Sequence, residues 1–252
     1  MDRDGKSPIF MWFQALFLVA DGEITSCNCC LHHYDAKDSA MTTRSHITVI
    51  LDRTGSMQDI RDDVVGGFNA FLAEQQTAPG PTTFTLVQFD SQNPYEVLHA
   101  ARDIALVTPL TLEQYVPRAQ TPLYDAMGRG IVDLEATLAK MPEDDRASKV
   151  IFVVVTDGAE NASREFDRAA VMRLIEAKKV AGWDFVFLSA DMSSFDDAGA
   201  MGINHGARLA FSKSKQGNDS AWKAASSKIR ACMVGEADSV AFDEEDRKSS
   251  GG

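Results

Sequence analysis

The sequence predicts a doubly wound α/β domain, in which a mainly parallel sheet lies between two layers of helices. Short apolar runs rich in β-branched residues alternate along the chain with longer segments whose apolar residues recur at helical spacing. The run VIFVVV at 150–155 has no polar residue, which is typical of a strand covered on both faces. Strands that alternate with helices favour parallel pairing with helices on both sides of the sheet.

The first half of this domain begins with a predicted strand at 46–51 and continues into a helix whose apolar face reaches Leu72. The segment TAPGP at 77–81 ends that helix. A second predicted strand covers 83–89. The segment 94–99 then pairs back as an antiparallel edge strand, with SQNP as its turn.

In the second half, Thr121 and Pro122 open a helix, because proline suits the first helical turn. Ser163 is the expected N-cap of the next helix, which closes near Gly182. The other predicted elements are strands at 150–155, 185–188 and 207–211, a short helix at 194–200 and a final helix at 220–232. Together these elements predict a Rossmann-like three-layer sandwich with one antiparallel edge strand.

The 252 residues divide into three predicted parts. Residues 45–235 form the α/β domain, and the acidic segment 236–252 is expected to be a flexible tail. Residues 1–40 differ from the rest and have three interpretations: an upstream artefact or disordered leader before a start at Met41, a signal peptide around the apolar run PIFMWFQALFLVA, or a metal-binding element in CNCCLHH. The last is the weakest interpretation, because Cys-x-Cys-Cys lacks the paired spacing of common zinc sites.

Charge and cysteine usage exclude some classes of function and location. The formal net charge of −12 argues against nonspecific binding to nucleic acid or to an anionic membrane. No apolar run reaches the roughly 18 residues that a membrane-spanning helix needs. Of four cysteines, only Cys232 lies beyond the first forty residues, so the domain has no internal disulfide. We therefore expect a cytoplasmic protein, or an exported one if residues 1–22 act as a signal peptide.

Oxygen-bearing side chains follow two of the predicted strands. Asp52, Thr54 and Ser56 alternate directly after the first strand, and Asp157 follows VIFVVVT. In the strand order 3-2-1-4-5-6, these two strands are neighbours at the point where the order reverses, which is where such sheets bind ligands. Thr121 lies just before a helix and is expected at the same edge. The sequence thus predicts one crevice lined by carboxylates and hydroxyls.

Such a set of ligands has a chemical preference. All of its atoms are hard oxygens, without sulfur or imidazole, which suits Mg²⁺, Mn²⁺ or Ca²⁺ and not zinc. Two carboxylates and neutral hydroxyls leave a bound Mg²⁺ electrostatically unsatisfied if one coordination position is open. A carboxylate from another molecule would complete the site. Helix capping is the simpler interpretation of the first loop, but it does not account for Thr121 and Asp157.

The segments DRTGSM, TPLYDA and VVVTDG, in this order and at these distances, resemble the three parts of a von Willebrand factor type A domain with a metal-ion-dependent adhesion site. The resemblance covers about residues 45–235. It implies a protein-interaction module without catalytic activity, in which the metal binds an Asp or Glu of a partner protein. The loops expected around the metal are 91–94, 113–120 and 158–163.

The resemblance also implies a role for each residue of the site. Ser56 and Thr121 would bind the metal directly through their hydroxyls, and Thr54, where many members of the family have Ser, would do likewise. Asp52 and Asp157 would act directly or through water. A further acid in the second segment, the aspartate of TPLYDA, is interpreted as a structural hydrogen-bonding residue.

Two other classes of function remain open. Asp52 after the first strand is also how haloacid-dehalogenase phosphatases begin, so a Mg²⁺-dependent phosphatase-like hydrolase is the alternative. Thr54 stands where such enzymes carry a second Asp, which weakens this hypothesis. RNA binding, as in Ro-type proteins that carry this domain, conflicts with the net charge. No phosphate-binding glycine loop and no nucleophile elbow occurs in the sequence.

Overall fold

The structure is a computed structural model that describes residues 43–251. The first forty residues, with their apolar run and clustered cysteines, lie outside the described residues. Their three interpretations therefore stay predictions. No helix within the described part of the chain is long and apolar enough to cross a membrane.

The described residues form a sheet of six strands in the order β3-β2-β1-β4-β5-β6. The strands are β1 Ser45–Asp52, β2 Thr82–Asp90, β3 Asn93–Asp103, β4 Lys149–Thr156, β5 Trp183–Ser189 and β6 Arg208–Ala210. All neighbours pair in parallel except β2 and β3, which are antiparallel. This confirms the predicted doubly wound sheet and its antiparallel edge strand.

Helices cover both faces of the sheet. They are α1 Arg61–Gln76, α2 Leu123–Lys140, α3 Arg168–Val180, α4 Met192–Ala200, α5 Lys215–Met233 and α6 Glu244–Ser250. One apolar cluster joins the sheet to α1 and α5, for example through Phe68 and Trp222. The other joins it to α2, α3 and α4, for example through Ile131 and Ile175.

Strands β1 and β4 lie at the centre and contribute to both clusters. In β4, Val153 packs in the first cluster and its neighbours Phe152 and Val154 pack in the second, and all three are fully buried. Successive side chains of a strand point to opposite faces, so a strand covered twice needs apolar residues at every position. The uninterrupted apolar run predicted this burial.

The structure differs from the prediction at 236–252, where a flexible tail was expected. Val240 and Phe242 are buried in the first apolar cluster, and α6 follows them. A capping box starts this helix, since Asp243 accepts a hydrogen bond from the Asp246 amide and Asp246 accepts one from the Asp243 amide. Burial of two apolar side chains thus orders an acidic segment, and the domain extends to Gly251.

Helix α3 also begins later than predicted. Its N-cap is Asp167, whose side chain accepts a hydrogen bond of 2.7 Å from the Ala170 amide. The predicted cap, Ser163, instead donates from its hydroxyl to Glu160 over 2.7 Å. Residues 164–166 stay out of the helix because their backbone amides donate to the carboxylate of Asp125. A tertiary contact therefore decides the helix start.

Candidate metal centre

The candidate site lies at the carboxyl ends of β1 and β4, where the strand order reverses. Leu51 pairs with Val155, so Asp52 at the end of β1 faces Thr156 at the end of β4, and Asp157 follows immediately. Parallel pairing brings both strand ends to one edge of the sheet. The predicted meeting of the two aspartates is therefore present in the fold.

Asp52 forms the floor of this crevice and is fully buried. One carboxylate oxygen accepts a hydrogen bond of 2.7 Å from the Thr54 amide, and the other accepts one of 2.5 Å from the Thr156 hydroxyl. Burial outweighs these hydrogen bonds and raises the pKa of Asp52 to about 7, with a smaller contribution from the nearby charge of Asp157. The site thus contains a negative charge that the protein compensates only in part.

The hydroxyls of the first loop contact the carboxylate that follows β4. The Ser56 hydroxyl donates to Oδ1 of Asp157 over 2.5 Å. The Thr54 and Ser56 hydroxyl oxygens lie 3.2 Å apart. Thr54 is buried, whereas Ser56 is exposed at the opening of the crevice. Two hydroxyls and one carboxylate from separate segments therefore meet at one point.

Thr121 joins them from the N-terminal side of α2. A Cβ atom placed on Gly158 would lie 3.3 Å from the Ser56 Oγ and 3.6 Å from the Thr121 Oγ1. Both hydroxyls therefore border the space that glycine leaves free. The Thr121 backbone is fixed by two hydrogen bonds with Asn161, of 2.9 and 3.0 Å. The structure thus brings all five predicted site residues to the same edge.

Two further residues belong to this site that the sequence did not reveal. Thr156 binds Asp52 as described, and its signal was its place at the strand end directly before Asp157. Lys213, in the turn between β6 and α5, donates from its ammonium to Oδ2 of Asp157 over 2.7 Å. No sequence motif or spacing relates Lys213 to the other site residues. It lies near Asp157 only because of the order of the strands in the sheet.

A buried ion-pair network supports the first loop from below. The Arg53 guanidinium donates two hydrogen bonds to Asp90, of 3.0 and 2.7 Å, and pairs with Glu96 at 2.7 Å. Arg118 adds a third guanidinium bond to Asp90, at 3.0 Å. Burial alone would raise the pKa of Asp90, but amide and guanidinium hydrogen bonds outweigh it and hold the pKa below its ordinary value.

The predicted loops all adjoin this edge. The Gly55 amide donates to the Ala119 carbonyl over 3.1 Å, and the Ser91 amide donates to the Gln120 carbonyl over 2.9 Å. The third loop, 158–163, includes the asparagine that holds Thr121. Below them, the buried Tyr115 hydroxyl donates to the backbone carbonyl of Asp52 over 2.5 Å. The surroundings of the crevice are therefore tied directly to its floor.

Asp125 has the structural role that the sequence indicated. Its buried carboxylate accepts three hydrogen bonds of 2.8 Å from the backbone amides of residues 164–166. Glu160 accepts a hydrogen bond of 3.0 Å from the Tyr124 amide at the start of α2. These two acids hold the loop after Asp157 in place and are not available as ligands.

The donor set fits a small, hard divalent cation. Within residues 43–251, no group of three or more His, Cys, Asp or Glu side chains is arranged to hold a metal. The candidate site has two carboxylates, and its other side-chain oxygens are hydroxyls, of which those of Ser56 and Thr121 border the space at Gly158. Oxygen ligands of this kind match Mg²⁺, Mn²⁺ or Ca²⁺. A lysine ammonium already contacts one of the carboxylates, which shows that a positive charge is accommodated there.

Comparison with known proteins gives matches in structure but not in sequence. No family model matches the chain, and no curated protein matches it. Among solved structures, the pilus adhesin SpaC from Lactobacillus rhamnosus GG in its open conformation has 14% identity and a TM-score of 0.56, over 76% of this chain and 30% of SpaC. The von Willebrand factor type A protein from Catenulispora acidiphila has 14% identity and a TM-score of 0.51, over 75% of this chain and 43% of that one.

A third structure is similar over most of its own length. The manganese-loaded TRAP protein of Plasmodium vivax has 11% identity and a TM-score of 0.52, over 77% of this chain and 74% of TRAP. By contrast, this chain spans less than half the length of SpaC and of the Catenulispora protein. At these sequence identities the similarity establishes the fold only. The function has to be inferred from the residues of the candidate site.

Proposed function

We propose that this chain, whose fold is that of a von Willebrand factor type A domain, is a divalent-metal-dependent protein-interaction module. The observation that carries the proposal is the convergence of three hydroxyls and two carboxylates at one edge of the sheet: the hydroxyls of Ser56 and Thr121 border the space left by Gly158, and that of Ser56 also contacts Thr54 and Asp157. A partner protein would offer an Asp or Glu to this edge. Ser56 is exposed to solvent, so such a side chain can reach this edge.

Each residue has a distinct part in this arrangement. Ser56 and Thr121 would hold the metal through their hydroxyls, and Thr54 would do the same from a buried position. Asp52 and Asp157 supply the negative charge. A divalent cation held by these residues would neutralise the two carboxylates and supply a positive charge to which the carboxylate of a partner could bind. The surrounding loops then determine which partner fits.

The metal is Mg²⁺ in this proposal, with Mn²⁺ or Ca²⁺ as substitutes, because every ligand is an oxygen. The similarly folded TRAP protein is manganese-loaded, which supports a divalent ion in this proposal. The adhesin SpaC has the same fold, which supports a role in adhesion.

The geometry favours this function over the phosphatase alternative. A nucleophilic carboxylate needs a free oxygen directed at the substrate. Both oxygens of Asp52 are engaged, one by the Thr54 amide and one by the Thr156 hydroxyl, and the side chain is fully buried. This environment suits a charge beneath a cation better than an attacking group.

The test combines metal binding with partner capture. Mg²⁺ affinity is measured by isothermal titration calorimetry for the wild-type full chain, Thr121→Val and Asp157→Ala. Thr121→Val removes only a hydroxyl and keeps both backbone hydrogen bonds to Asn161. We expect affinity to fall at least about tenfold in both variants. Asp219→Ala, which changes an exposed acid paired with Lys215, is the control and should leave affinity unchanged.

Each protein then serves as bait in native lysate with Mg²⁺ or with EDTA. A partner retained only by the wild type and the control, and only with Mg²⁺, supports the proposal. Retention of the same partners in EDTA would mean that the metal is not the recognition element.

A further inference from the structure

The Lys213 ammonium lies against a buried carboxylate of the candidate metal centre. It donates to Oδ2 of Asp157 over 2.7 Å, while Oδ1 accepts the hydroxyl of Ser56. The Asp157 side chain has no exposed surface, whereas the Lys213 side chain is 42% exposed. The pair therefore joins a fixed internal anion to a cation that reaches in from solvent.

The surroundings explain why a cation is held there. Asp52 and Asp157 are both buried at one edge, and a buried carboxylate without a partner is unfavourable. Burial alone would raise the pKa of Asp191, in the turn after β5, but hydrogen bonds from Ser193 and Ser194 lower it, and the charge of Lys213 adds a smaller lowering contribution. Lys213 is thus the positive charge that the structure directs into this acidic edge.

The backbone of Lys213 is fixed while its side chain remains able to move. The preceding Ser212 amide donates to the Ser250 carbonyl over 2.9 Å, and the following Ser214 caps α5 by accepting from the Gly217 amide over 3.1 Å. A lysine side chain is a flexible four-carbon stem, and here it has an exposed route to water. The ammonium can therefore leave Asp157 without any change in the fold.

We propose that Lys213 takes the place of the divalent cation in the metal-free protein and is displaced when the metal binds, so that it sets the metal affinity of the site. This inference rests on the proposed function. While the ammonium contacts Oδ2 at 2.7 Å, a divalent cation held by the same carboxylate would meet a like charge at close range, so the Lys213 contact and metal binding oppose each other. Only molecules in which Lys213 has left Asp157 bind the metal well. The apparent metal affinity is therefore the intrinsic affinity of the site multiplied by the fraction of such molecules.

The first test measures Mn²⁺ affinity in the full chain, with electron paramagnetic resonance of free Mn²⁺ as the readout. Lys213→Met keeps the length of the side chain and removes the charge. Lys215→Met is the matched control. It removes the same charge two residues further along the chain, where Lys215 forms an exposed ion pair with Asp219. We expect Lys213→Met to bind Mn²⁺ about tenfold tighter, which corresponds to a Lys213-free form populated at about 10% in the wild type. Lys215→Met should bind as the wild type does.

The second test needs no variant. Lysines of the wild-type chain are labelled by reductive methylation with and without saturating Mn²⁺, and modification is quantified by mass spectrometry. Displacement predicts that metal increases the labelling of Lys213 and leaves that of Lys215 unchanged. This readout also decides the matter if Lys213→Met does not fold.

The possible outcomes separate the two proposals. If wild type and Lys213→Met bind Mn²⁺ equally, or the variant binds more weakly, or the labelling of Lys213 does not respond to metal, Lys213 is not a competitor and the metal centre still stands. If neither protein binds Mn²⁺, the proposed function fails and this inference fails with it.

Discussion

The two ends of strand β1 each bury a titratable side chain, but they stabilise it in different ways. At the amino end, His46 is fully buried and its ring nitrogens contact the hydroxyls of Thr83 and Thr48, at 2.8 and 3.0 Å. Burial lowers the pKa of His46 to about 4, so the ring stays neutral. At the carboxyl end, burial raises the pKa of Asp52 to about 7, so near neutral pH the metal-free protein contains both the protonated and the charged form of this side chain.

The difference shows how a structural end and a functional end can be told apart. A neutral imidazole between two hydroxyls has its hydrogen bonds satisfied and needs nothing from outside. A buried carboxylate that neighbours a second one is stabilised by a cation, and the chain brings the Lys213 ammonium to this edge. Two buried carboxylates side by side, at the edge where the strand order reverses, make an environment that a cation would stabilise.

The largest expected effect comes from breaking the ion pairs beneath the carboxyl end while leaving His46 untouched. Asp90→Ala removes the partner of Arg53, whose guanidinium is buried and would keep only Glu96. We expect the free energy of unfolding to fall by about 3 to 5 kcal/mol, because the buried Arg53 guanidinium loses two hydrogen bonds and keeps only one, partly exposed, partner. Urea denaturation followed by circular dichroism measures this loss.

The matched control for that variant is Asp219→Ala, in the exposed pair with Lys215. An exposed pair contributes less than about 1 kcal/mol, so this variant should unfold almost as the wild type does. Equal free energies of unfolding for the two variants would show that the ion pairs of Asp90 stabilise the domain no more than an exposed pair does.

The next effect isolates the amino end through pH. Since His46 has a lowered pKa in the folded state, the unfolded chain binds a proton below about pH 6.5 that the folded protein does not. The His46 contribution to the free energy of unfolding therefore falls as the pH is lowered.

Asp52 has the opposite effect in metal-free protein. Because its pKa is raised, the folded state binds a proton before the unfolded chain does as the pH falls below about 7, which increases the free energy of unfolding.

In the Asp52→Asn variant the opposing contribution is gone. We expect its free energy of unfolding to decrease by about 2 kcal/mol between pH 7 and 4.5, whereas metal-free wild type changes much less. Adding His46→Gln to Asp52→Asn should remove most of this decrease. A slope that persists in the double variant would assign it to other groups, such as His99, whose pKa burial also lowers.

The smallest effect concerns the charge of Asp52 alone, at pH 8 in EDTA. Asp52→Asn keeps the shape of the side chain and removes this charge. The introduced amide oxygen can still accept from the Thr54 amide, and the Thr156 hydroxyl can donate to the Gly158 carbonyl, 3.1 Å away. We expect the variant to be more stable than wild type by about 1 kcal/mol, since a buried charge is removed. Thermal melting in EDTA checks this, and a less stable variant would mean that the Asp52 charge is already balanced.

Much of this fold and site follows from local sequence, for reasons that individual residues show. The apolar run of β4 admits only a doubly covered strand, and the residues after β1 and β4 then have to meet at one edge. Asp52 and Asp157 could be placed together because topology makes neighbours of segments that are far apart in sequence. Thr156 has only its position at the end of the strand as a signal, and its hydrogen bond to Asp52 emerges from the structure.

Other features depend on contacts that no local pattern encodes. Lys213 lies 56 residues after Asp157, and a lysine in a polar turn looks the same whether or not it faces a carboxylate. Ser163 has the composition of a helix cap, yet Asp125 takes the amides that would have begun the helix. The two buried apolar residues of the acidic segment 236–252 are outnumbered by polar ones, so average composition concealed their burial.

The end of the described chain is attached close to Lys213. Ser250 donates from its hydroxyl to the Ala210 carbonyl over 2.8 Å and accepts from the Ser212 amide, and Gly251 forms a bridge with Phe211. A pulling force applied at Gly251 would therefore enter the domain at the end of β6 and in the turn that carries Lys213. Mechanical load on this segment would act directly beside the candidate metal centre.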